Sequence, residues 1–221
     1  VLPHPEDVVA RLISEAGKSG FWLHFGISLR RVCISIAVSW MLAFPLGAAL
    51  GYSQTLDRVF SPLIFMAYPV PKMVLLPVIV LLFGLGDLSK IVLITLILFF
   101  QVLVSTRDGV RSINSKYYDS VESMGGTRSD IFRHVVLPGA LPHSFTAIRI
   151  STGTAISVLF FAESFATTTG LGYLIMDAWA RADYVMIFVG ITGMSIMGLA
   201  LYLAIAILER RVCPWAFTDE E

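Results

Sequence analysis

The sequence predicts an all-α integral membrane protein, a polytopic bundle of spanning helices, and two observations favour this fold class. The composition is 56% hydrophobic and 14% charged, whereas soluble domains average about 25% charged residues. The chain also contains five apolar stretches close to the ~20 residues that a helix needs to cross a bilayer. These stretches are Val32–Gly51, Leu63–Phe83, Leu88–Val104, Ala140–Phe161 and Val185–Leu208.

Three regions follow from the positions of these stretches. Residues 1–31 are predicted to form an extracytoplasmic amphipathic lead-in, residues 32–208 a single transmembrane domain, and residues 209–221 a cytoplasmic tail. Within the domain, a polar loop over residues 105–138 joins the third and fourth spans.

Basic residues predict the orientation of the spans. The 105–138 loop carries five Lys or Arg residues, and the tail carries Arg210 and Arg211. The positive-inside rule therefore places the loop and the C-terminus in the cytoplasm. Four basic residues of the lead-in oppose the rule, namely Arg11, Lys18, Arg30 and Arg31. A further span upstream of Val1 would explain their position, and we expect that such a span is missing from this chain.

Residue content excludes several functions. Basic and acidic residues both number 16, so net charge provides no attraction for nucleic acid. The two cysteines, Cys33 and Cys213, fall on opposite predicted sides of the membrane, which argues against a disulfide, and no metal-ligand spacing is present. Gly17-Lys18-Ser19 is similar to the end of a phosphate-binding loop, but Leu12 stands where the first glycine would fall. We therefore expect no ATPase site and no catalytic residue in this chain.

The 105–138 loop has the pattern of two short helices joined by an elbow. Tyr117–Met124 is predicted to be helical and to end at Gly125, because glycine accepts the left-handed conformation that closes many helices. Thr127 followed by Asp130 has the spacing of a capping box and predicts a second helix, which Pro138 is expected to stop. The pattern alone is equally consistent with an ordinary amphipathic loop at the membrane surface.

This segment resembles the EAA loop of permease subunits in ATP-binding cassette (ABC) importers. Asp119-Ser120-Val121, Gly125 and Val135-x-Leu137-Pro138 match its spacing, although Asp119 replaces Glu and the next two residues replace Ala. Further matches resemble the nitrate, sulfonate, taurine and bicarbonate branch of the type I importers, whose members usually carry one more N-terminal span. These matches are His24-x-x-x-Ser28-Leu29-x-Arg31-Val32, Pro69-x-Pro71, Phe83-Gly84-x-Gly86, Leu137–Pro142, Arg149, Ala162-Glu163, Gly170–Ile175 and Glu209-Arg210-Arg211.

The resemblance implies a coupling helix that docks into a cleft on a separate cytoplasmic ATPase subunit. Val121 and Met124 would be its apolar anchors, with Glu122, Arg128 and Asp130 as a polar rim. The implied coupling residues are Asp119, Ser120, Val121, Glu122, Met124, Gly125, Gly126, Arg128, Val135, Leu137 and Pro138.

The resemblance also implies the partners. They would be two cytoplasmic ABC ATPase subunits, a second permease subunit, an extracytoplasmic solute-binding protein and the lipid bilayer. We expect a homodimer of permease subunits rather than a heterodimer. This chain would hold no cofactor, because ATP and Mg²⁺ would be bound by the ATPase subunits. The implied location is the bacterial inner membrane, with several spans.

Polar residues inside the spans are candidates for lining a translocation pathway, because each is unfavourable in a bilayer unless it is paired or hydrated. Lys72 could attract an anion, although local pairing or snorkelling of its ammonium is favoured. Arg149 could be a pathway charge or could bond helix-end carbonyls. Thr152 lies on a small polar face that borders either the pathway or a neighbouring helix. For Glu163, pairing with a helix dipole or an Arg is favoured over a pathway role.

The loop after the fourth span combines glycines with hydroxyl side chains. The resemblance implies that Gly170, Gly172 and Tyr173 belong to an outer mouth beneath the solute-binding protein. The alternative is that this loop only caps helices.

The predicted function is ATP-driven import of a small solute, with this chain forming half of the pathway. The branch points to a nitrate-, sulfonate-, taurine- or bicarbonate-type anion, and a vitamin-precursor-type organic solute is the alternative substrate. An ion-coupled secondary transporter is the alternative class, and it would show paired discontinuous helices with coupling carboxylates. An intramembrane hydrolase is excluded, because Ser157 and His143 stand about four turns apart on one span.

Overall fold

A computed structural model describes residues 2–165 and 167–220 of the protein. Val1, Ala166 and Glu221, which belong to the predicted lead-in, the outer loop and the tail, lie outside the described residues. The α-helices are α1 (Pro5–Ala16), α2 (Ser19–Tyr52), α3 (Gln54–Ala67), α4 (Leu76–Phe83), α5 (Asp87–Arg111), α6 (Ser115–Ser123), α7 (Arg128–Ile131), α8 (Leu137–Glu163), α9 (Leu171–Ala180) and α10 (Tyr184–Val212). Short 3-10 helices cover Lys72–Leu75 and Pro214–Glu220, and a π-helical segment covers Phe132–Val136.

Among the described residues, four helical runs are long and apolar enough to cross a membrane. They are Ser19–Tyr52, Asp87–Arg111, Arg128–Glu163 and Tyr184–Val212. The bent pair Gln54–Ala67 and Lys72–Phe83 provides a fifth span if it is counted as one. The all-α membrane fold agrees with the sequence prediction, and the five predicted spans are reached when the bent pair is counted as one.

The helix that contains the first predicted span begins before that span. Helix α2 starts at Ser19, whereas hydropathy placed the start of the span at Val32 and left residues 1–31 as a lead-in. The reason is that Ser28 and Arg31 are buried by polar partners, so they interrupt the apolar pattern without ending the helix. The predicted lead-in also contains α1, a helix that is separate from α2.

The second span is broken where its prolines predict a break. Helix α3 ends at Ala67, and helical structure resumes at Lys72, immediately after Pro69 and Pro71. Proline lacks an N–H and restricts the residue before it, so both prolines oppose a continuous helix.

The prediction that Pro138 stops a helix is wrong. Helix α7 runs through the π segment directly into α8, which contains Pro138 and Pro142. The N–H of Leu137 bonds to the Phe132 carbonyl five residues back. This wider turn directly before Pro138 accommodates a residue that lacks an N–H and whose ring would crowd a regular α-helix.

Contacts divide the chain into two compact units that each contain part of α2, α5, α8 and α10. The first unit runs to Ile36 and includes Lys72–Thr95 and Thr152–Leu201. The second comprises Ala37–Pro71, Leu96–Ser151 and the chain from Tyr202 onward.

In the second unit, small residues let α2 pack closely on α5. A Cβ at Gly47 would lie 2.7 Å from the Leu103 carbonyl oxygen, and one at Gly51 would lie 2.7 Å from the Arg107 carbonyl oxygen. Such contacts require glycine, so Gly47-x-x-x-Gly51 serves packing within this subunit.

In the first unit, buried charges pair around Arg31. Its guanidinium is 2% exposed and donates to Asp87 at 2.6 and 2.9 Å and to Glu163 at 2.7 Å. It also donates to the Thr169 carbonyl at 2.9 Å. Arg30 pairs with Asp87 from an exposed position. Arg31 of α2 therefore connects the start of α5, the end of α8 and the loop before α9.

Lys90 adds a second buried cation to this group. Its ammonium bonds to the Leu85 carbonyl at 2.5 Å and interacts electrostatically with Arg31, Asp87 and Glu163. We call Arg31, Asp87, Lys90 and Glu163 the Arg31 network. Within this network two cations face two carboxylates, and the exposed Arg30 adds a further cation on Asp87. Such pairing is what makes buried ionisable groups tolerable in a spanning helix.

We expect Glu163→Gln to destabilise the protein strongly. The amide keeps the size of the side chain but leaves Arg31 and Lys90 with one carboxylate between them, and breaking a buried ion pair costs about 3–5 kcal/mol. Chemical denaturation of the purified protein in detergent measures the loss.

Asp177→Asn is the matched control for this change. It removes the same charge from the exposed Asp177–Arg181 pair, which contributes at most about 1 kcal/mol. Equal losses of unfolding free energy in the two variants would contradict a special role of the Arg31 network.

Candidate functional site

Helix α6 ends in the geometry that its glycines predict. The N–H of Gly126 bonds to the Val121 carbonyl and the N–H of Gly125 bonds to the Glu122 carbonyl, both at 2.9 Å. Gly125 has a φ of 77°, so the two bonds form a Schellman motif with Gly125 at the left-handed position. No neighbouring atom lies within 4 Å of a Cβ placed there, which means that conformation alone favours glycine.

Helix α7 begins with the predicted capping box. The Asp130 carboxylate accepts from the Thr127 N–H at 2.8 Å, while the Asp130 N–H donates to the Thr127 hydroxyl. Each side chain thereby satisfies a backbone N–H that the helix start would leave unpaired. The elbow Met124–Thr127 is thus closed on both sides by hydrogen bonds.

A buried apolar cluster supports this elbow in the second unit. Its members come from α2, α5, α7, the π segment and α8: Ala48, Val110, Ile131, Val135, Val136 and Ala140. Tyr118 and Val121 of α6 pack against them. One cluster therefore holds α6 and the helical run that continues into α8.

The predicted coupling residues fall into two groups by burial. Asp119, Ser120, Glu122, Met124, Gly125 and Arg128 are exposed, whereas Val121, Gly126, Val135, Leu137 and Pro138 are buried or half-buried. Met124 is 80% exposed, and Tyr117, which the pattern did not single out, is 65% exposed. Val121 contributes to the cluster, so the exposed apolar surface of α6 consists of Met124 and Tyr117.

Arg149, one of the pathway candidates, is ion-paired. Its Nη1 lies 3.0 Å from Glu209 Oε2, and its guanidinium lies 5.9 Å from the centre of the Tyr202 ring. Thr146 donates to the other oxygen of Glu209 at 3.1 Å. The partner is thus a carboxylate of α10 rather than a helix-end carbonyl, and the Arg149 side chain is still 26% exposed.

The other pathway candidates differ in exposure. Lys72 opens the 3-10 helix after the proline break and is half-buried. Thr152 is buried, but Gly153 and Ser157 on the same helix are exposed. Glu163 is buried in the Arg31 network, which agrees with the prediction that it pairs with an Arg.

The predicted outer mouth is held by side chains of α2 and α8. The N–H of Gly170 donates to His24 Nδ1 at 3.0 Å, that of Leu171 to Ser28 Oγ at 2.8 Å, and that of Gly172 to Glu163 Oε2 at 2.9 Å. These bonds satisfy successive N–H groups at the start of α9 and place a carboxylate at the positive end of its dipole. Tyr173 stands beside the His24 ring.

The sequence did not reveal Arg31 and Lys90 as buried partners of Glu163. Arg31 was counted as a basic residue on the wrong side of the membrane and as part of a family match, and Lys90 lies in an apolar run. Glu163 lies 132 residues after Arg31, so no local pattern records their contact. Lys90 bonds to the backbone carbonyl of Leu85, and a backbone group leaves no residue-type signal in the sequence. Both cysteines are free in the structure.

Comparison with known proteins identifies the family of this chain. Residues 41–214 match the family described as "Binding-protein-dependent transport system inner membrane component". The taurine transport system permease protein TauC of Escherichia coli is 35% identical over 219 residues, which cover 97% of this chain and 80% of that protein. The formylaminopyrimidine transport permease protein ThiX of Halalkalibacterium halodurans is 30% identical over 215 residues, covering 97% and 86%.

A solved structure supports the same fold. The inward-facing MetNI methionine ABC transporter aligns with a TM-score of 0.71 and 20% identity, over 86% of this chain and 96% of that chain. The relatives are permease subunits, so the chain is a multi-pass inner-membrane protein that does not itself hydrolyse ATP. The resemblance to the type I ABC importers is confirmed, and the chain belongs to the binding-protein-dependent transport system inner membrane component family.

Proposed function

We propose that this chain forms half of the translocation pathway of an ABC importer for a small sulfonate of the taurine type. Two cytoplasmic ATPase subunits would bind ATP and Mg²⁺, and an extracytoplasmic solute-binding protein would deliver the solute. One observation supports the coupling role. Helix α6 and its Gly125 elbow are exposed, and α6 packs on the same apolar cluster as the helical run that continues into α8.

The surface of α6 suits a docking helix. Met124, which follows the last residue of α6, offers an exposed apolar anchor, and Tyr117 in the first turn of α6 is a second exposed apolar side chain. The exposed polar residues Asp119, Glu122 and Arg128 surround it, as in the core and rim of a protein interface. Because Val121 and Val135 belong to one cluster, a push on α6 would move the start of α8 as well.

A face of α8 supports a pathway between two permease subunits. Apart from the backbone of its own helix, no atom of the described residues lies within 4 Å of a Cβ placed at Gly153, and Ser157, one turn later, is exposed. Small and polar residues on the open face of a spanning helix favour water or a second subunit over lipid. We therefore propose that two copies of the chain meet there, with Arg149 and Lys72 as cationic candidates along the pathway.

The substrate is inferred from the relatives. Identity of 35% to a taurine permease supports a sulfonate, and 30% identity to a formylaminopyrimidine permease makes a vitamin-precursor-type solute the alternative.

A cytoplasmic C-terminus remains our proposal for the orientation. The basic residues that opposed it are paired with carboxylates: Arg11 with Glu15 and Asp183, Lys18 with Glu15, and Arg30 and Arg31 with Asp87. These pairs hold the four residues in the folded chain, and the proposed orientation rests on the basic residues of the 105–138 loop and the tail.

We expect Gly125→Val to uncouple ATP hydrolysis from transport while leaving membrane insertion intact. A β-branched residue in the left-handed conformation is strained by about 1–2 kcal/mol, so the elbow would open. Transport and solute-stimulated ATPase activity are measured in liposomes that contain the copurified ATPase subunits.

Gly125→Asn is the matched control. Asn tolerates the left-handed conformation, and the space around Gly125 is open, so coupling should persist. Full transport by Gly125→Val, or loss in both variants, would show that the elbow conformation does not carry the coupling.

We expect an ATPase subunit and a solute-binding protein to copurify with the tagged chain.

Taurine or an alkanesulfonate at 100 times its Kd should stabilise that binding protein by about 2.7 kcal/mol, a rise of several degrees in Tm. A formylaminopyrimidine is the comparison ligand. A rise with the pyrimidine alone would overturn the substrate proposal, and uphill transport driven by an ion gradient without nucleotide would overturn the importer mechanism.

A further inference from the structure

A polar cavity lies within the second unit beside the coupling elbow. Its volume is about 710 Å³, within the range of small-ligand sites. The end of α2, the start of α3, the end of α5 and Tyr118 of α6 line it. The proposed import mechanism assigns no role to this cavity, yet its walls include two arginines, Arg58 and Arg111.

The one carboxylate in the lining is already saturated. Asp57 accepts from Arg107 at 2.8 Å and from Arg111 at 2.6 Å, with Ser61 donating to it at 2.5 Å. A second Arg107 nitrogen also donates to Asp57. Both carboxylate oxygens are therefore occupied, and they offer little acceptor capacity to a cation that enters the cavity.

Donors in the lining remain available. Arg111 uses Nη1 on Asp57, and among the described residues its Nε and Nη2 have no partner. Arg58 is exposed and has no carboxylate partner within residues 2–165 and 167–220. Arg58 and Arg111 against Asp57 leave the lining with an excess of one positive charge.

Two phenols add neutral donors to the lining. Tyr52 and Tyr118 both line the cavity and pack against the apolar cluster. Burial, and then the neighbouring Tyr52, raise the pKa of Tyr118, so its hydroxyl stays protonated and able to donate. Among the described residues, neither hydroxyl has a hydrogen-bond partner.

We propose that this cavity binds a phosphate group, either the headgroup of an anionic phospholipid or free phosphate. Guanidinium groups match the oxygens of phosphate, and a hydroxyl donor can complete the shell. Basic pockets at the ends of spanning helices are a known setting for anionic headgroups. Apolar residues in the same lining, such as Leu50 and Val110, suit the glycerol end of a lipid.

Occupancy of the cavity would connect the α2–α3 junction to α6. Arg58 lies on α3 and Tyr118 on α6, seven residues before Gly125 in the chain. A phosphate bridging them would restrain the elbow, so the composition of the membrane or the phosphate level would tune coupling.

The test uses the full chain without nucleotide in nanodiscs. One arm compares phosphatidylcholine with mixtures containing phosphatidylglycerol and counts the lipid retained per chain by native mass spectrometry. The other arm titrates inorganic phosphate into phosphatidylcholine nanodiscs and follows Tm, with NaCl at matched ionic strength as the reference.

Arg58→Gln is the probing variant, because Arg58 has no structural partner to lose among the described residues. We expect its affinity for the active probe to fall about tenfold, the effect of one charge-assisted hydrogen bond. Arg181→Gln removes the same charge from an exposed turn of the other unit and should change nothing. Tyr118→Phe, which removes one hydroxyl, should weaken binding to a lesser degree.

Each outcome decides the proposal. Retention of phosphatidylglycerol that depends on Arg58 assigns the lipid headgroup, and a phosphate-dependent rise in Tm that depends on Arg58 assigns free phosphate. If neither probe shows a dependence on Arg58, or if NaCl reproduces the effect, the cavity does not bind phosphate.

Discussion

Arg31 stands in a helix that crosses the membrane, and a guanidinium in that setting must be compensated by nearby carboxylates. Asp87 and Glu163 provide them, and Lys90 is a second buried cation near the same carboxylates. Because those carboxylates lie at the start of α5 and the end of α8, neutralising one charge fixes three helices in the first unit. Glu163 then orders the start of α9 through the Gly172 N–H, so the loop before α9 depends on the same compensation.

The second unit is held in a different way. Its centre is the apolar cluster around Ile131 and Val136, and its polar features are local ones, the Schellman motif at Gly125 and the capping box at Thr127. A rigid elbow of this kind needs no long-range ion pair. It can present an exposed Met124 to a partner while its other side stays packed.

Local patterns predicted the features that depend on near neighbours. The proline break after Ala67, the end of α6 at Gly125 and the capping box all follow from residues within a few positions of one another. The early start of α2 and the passage of α8 through Pro138 did not follow, since the first depends on the distant partners of Arg31 and the second on a π turn. Several residues that carried the family resemblance, His24, Ser28, Arg31, Glu163 and Gly170, form one hydrogen-bonded group around the start of α9. The family resemblance therefore pointed to residues that form one site, although the sequence did not predict how they are arranged.

The pairing of Arg31 also has a consequence for biogenesis. Asp87 follows Arg31 by 56 residues, whereas Glu163 follows it by 132. During synthesis the arginine thus meets one counter-charge when α5 emerges from the ribosome and the second only after α8 is complete. The full set of ion pairs around α2 therefore forms only after α8 is complete, and a chain that ends before Glu163 leaves Arg31 paired with Asp87 alone.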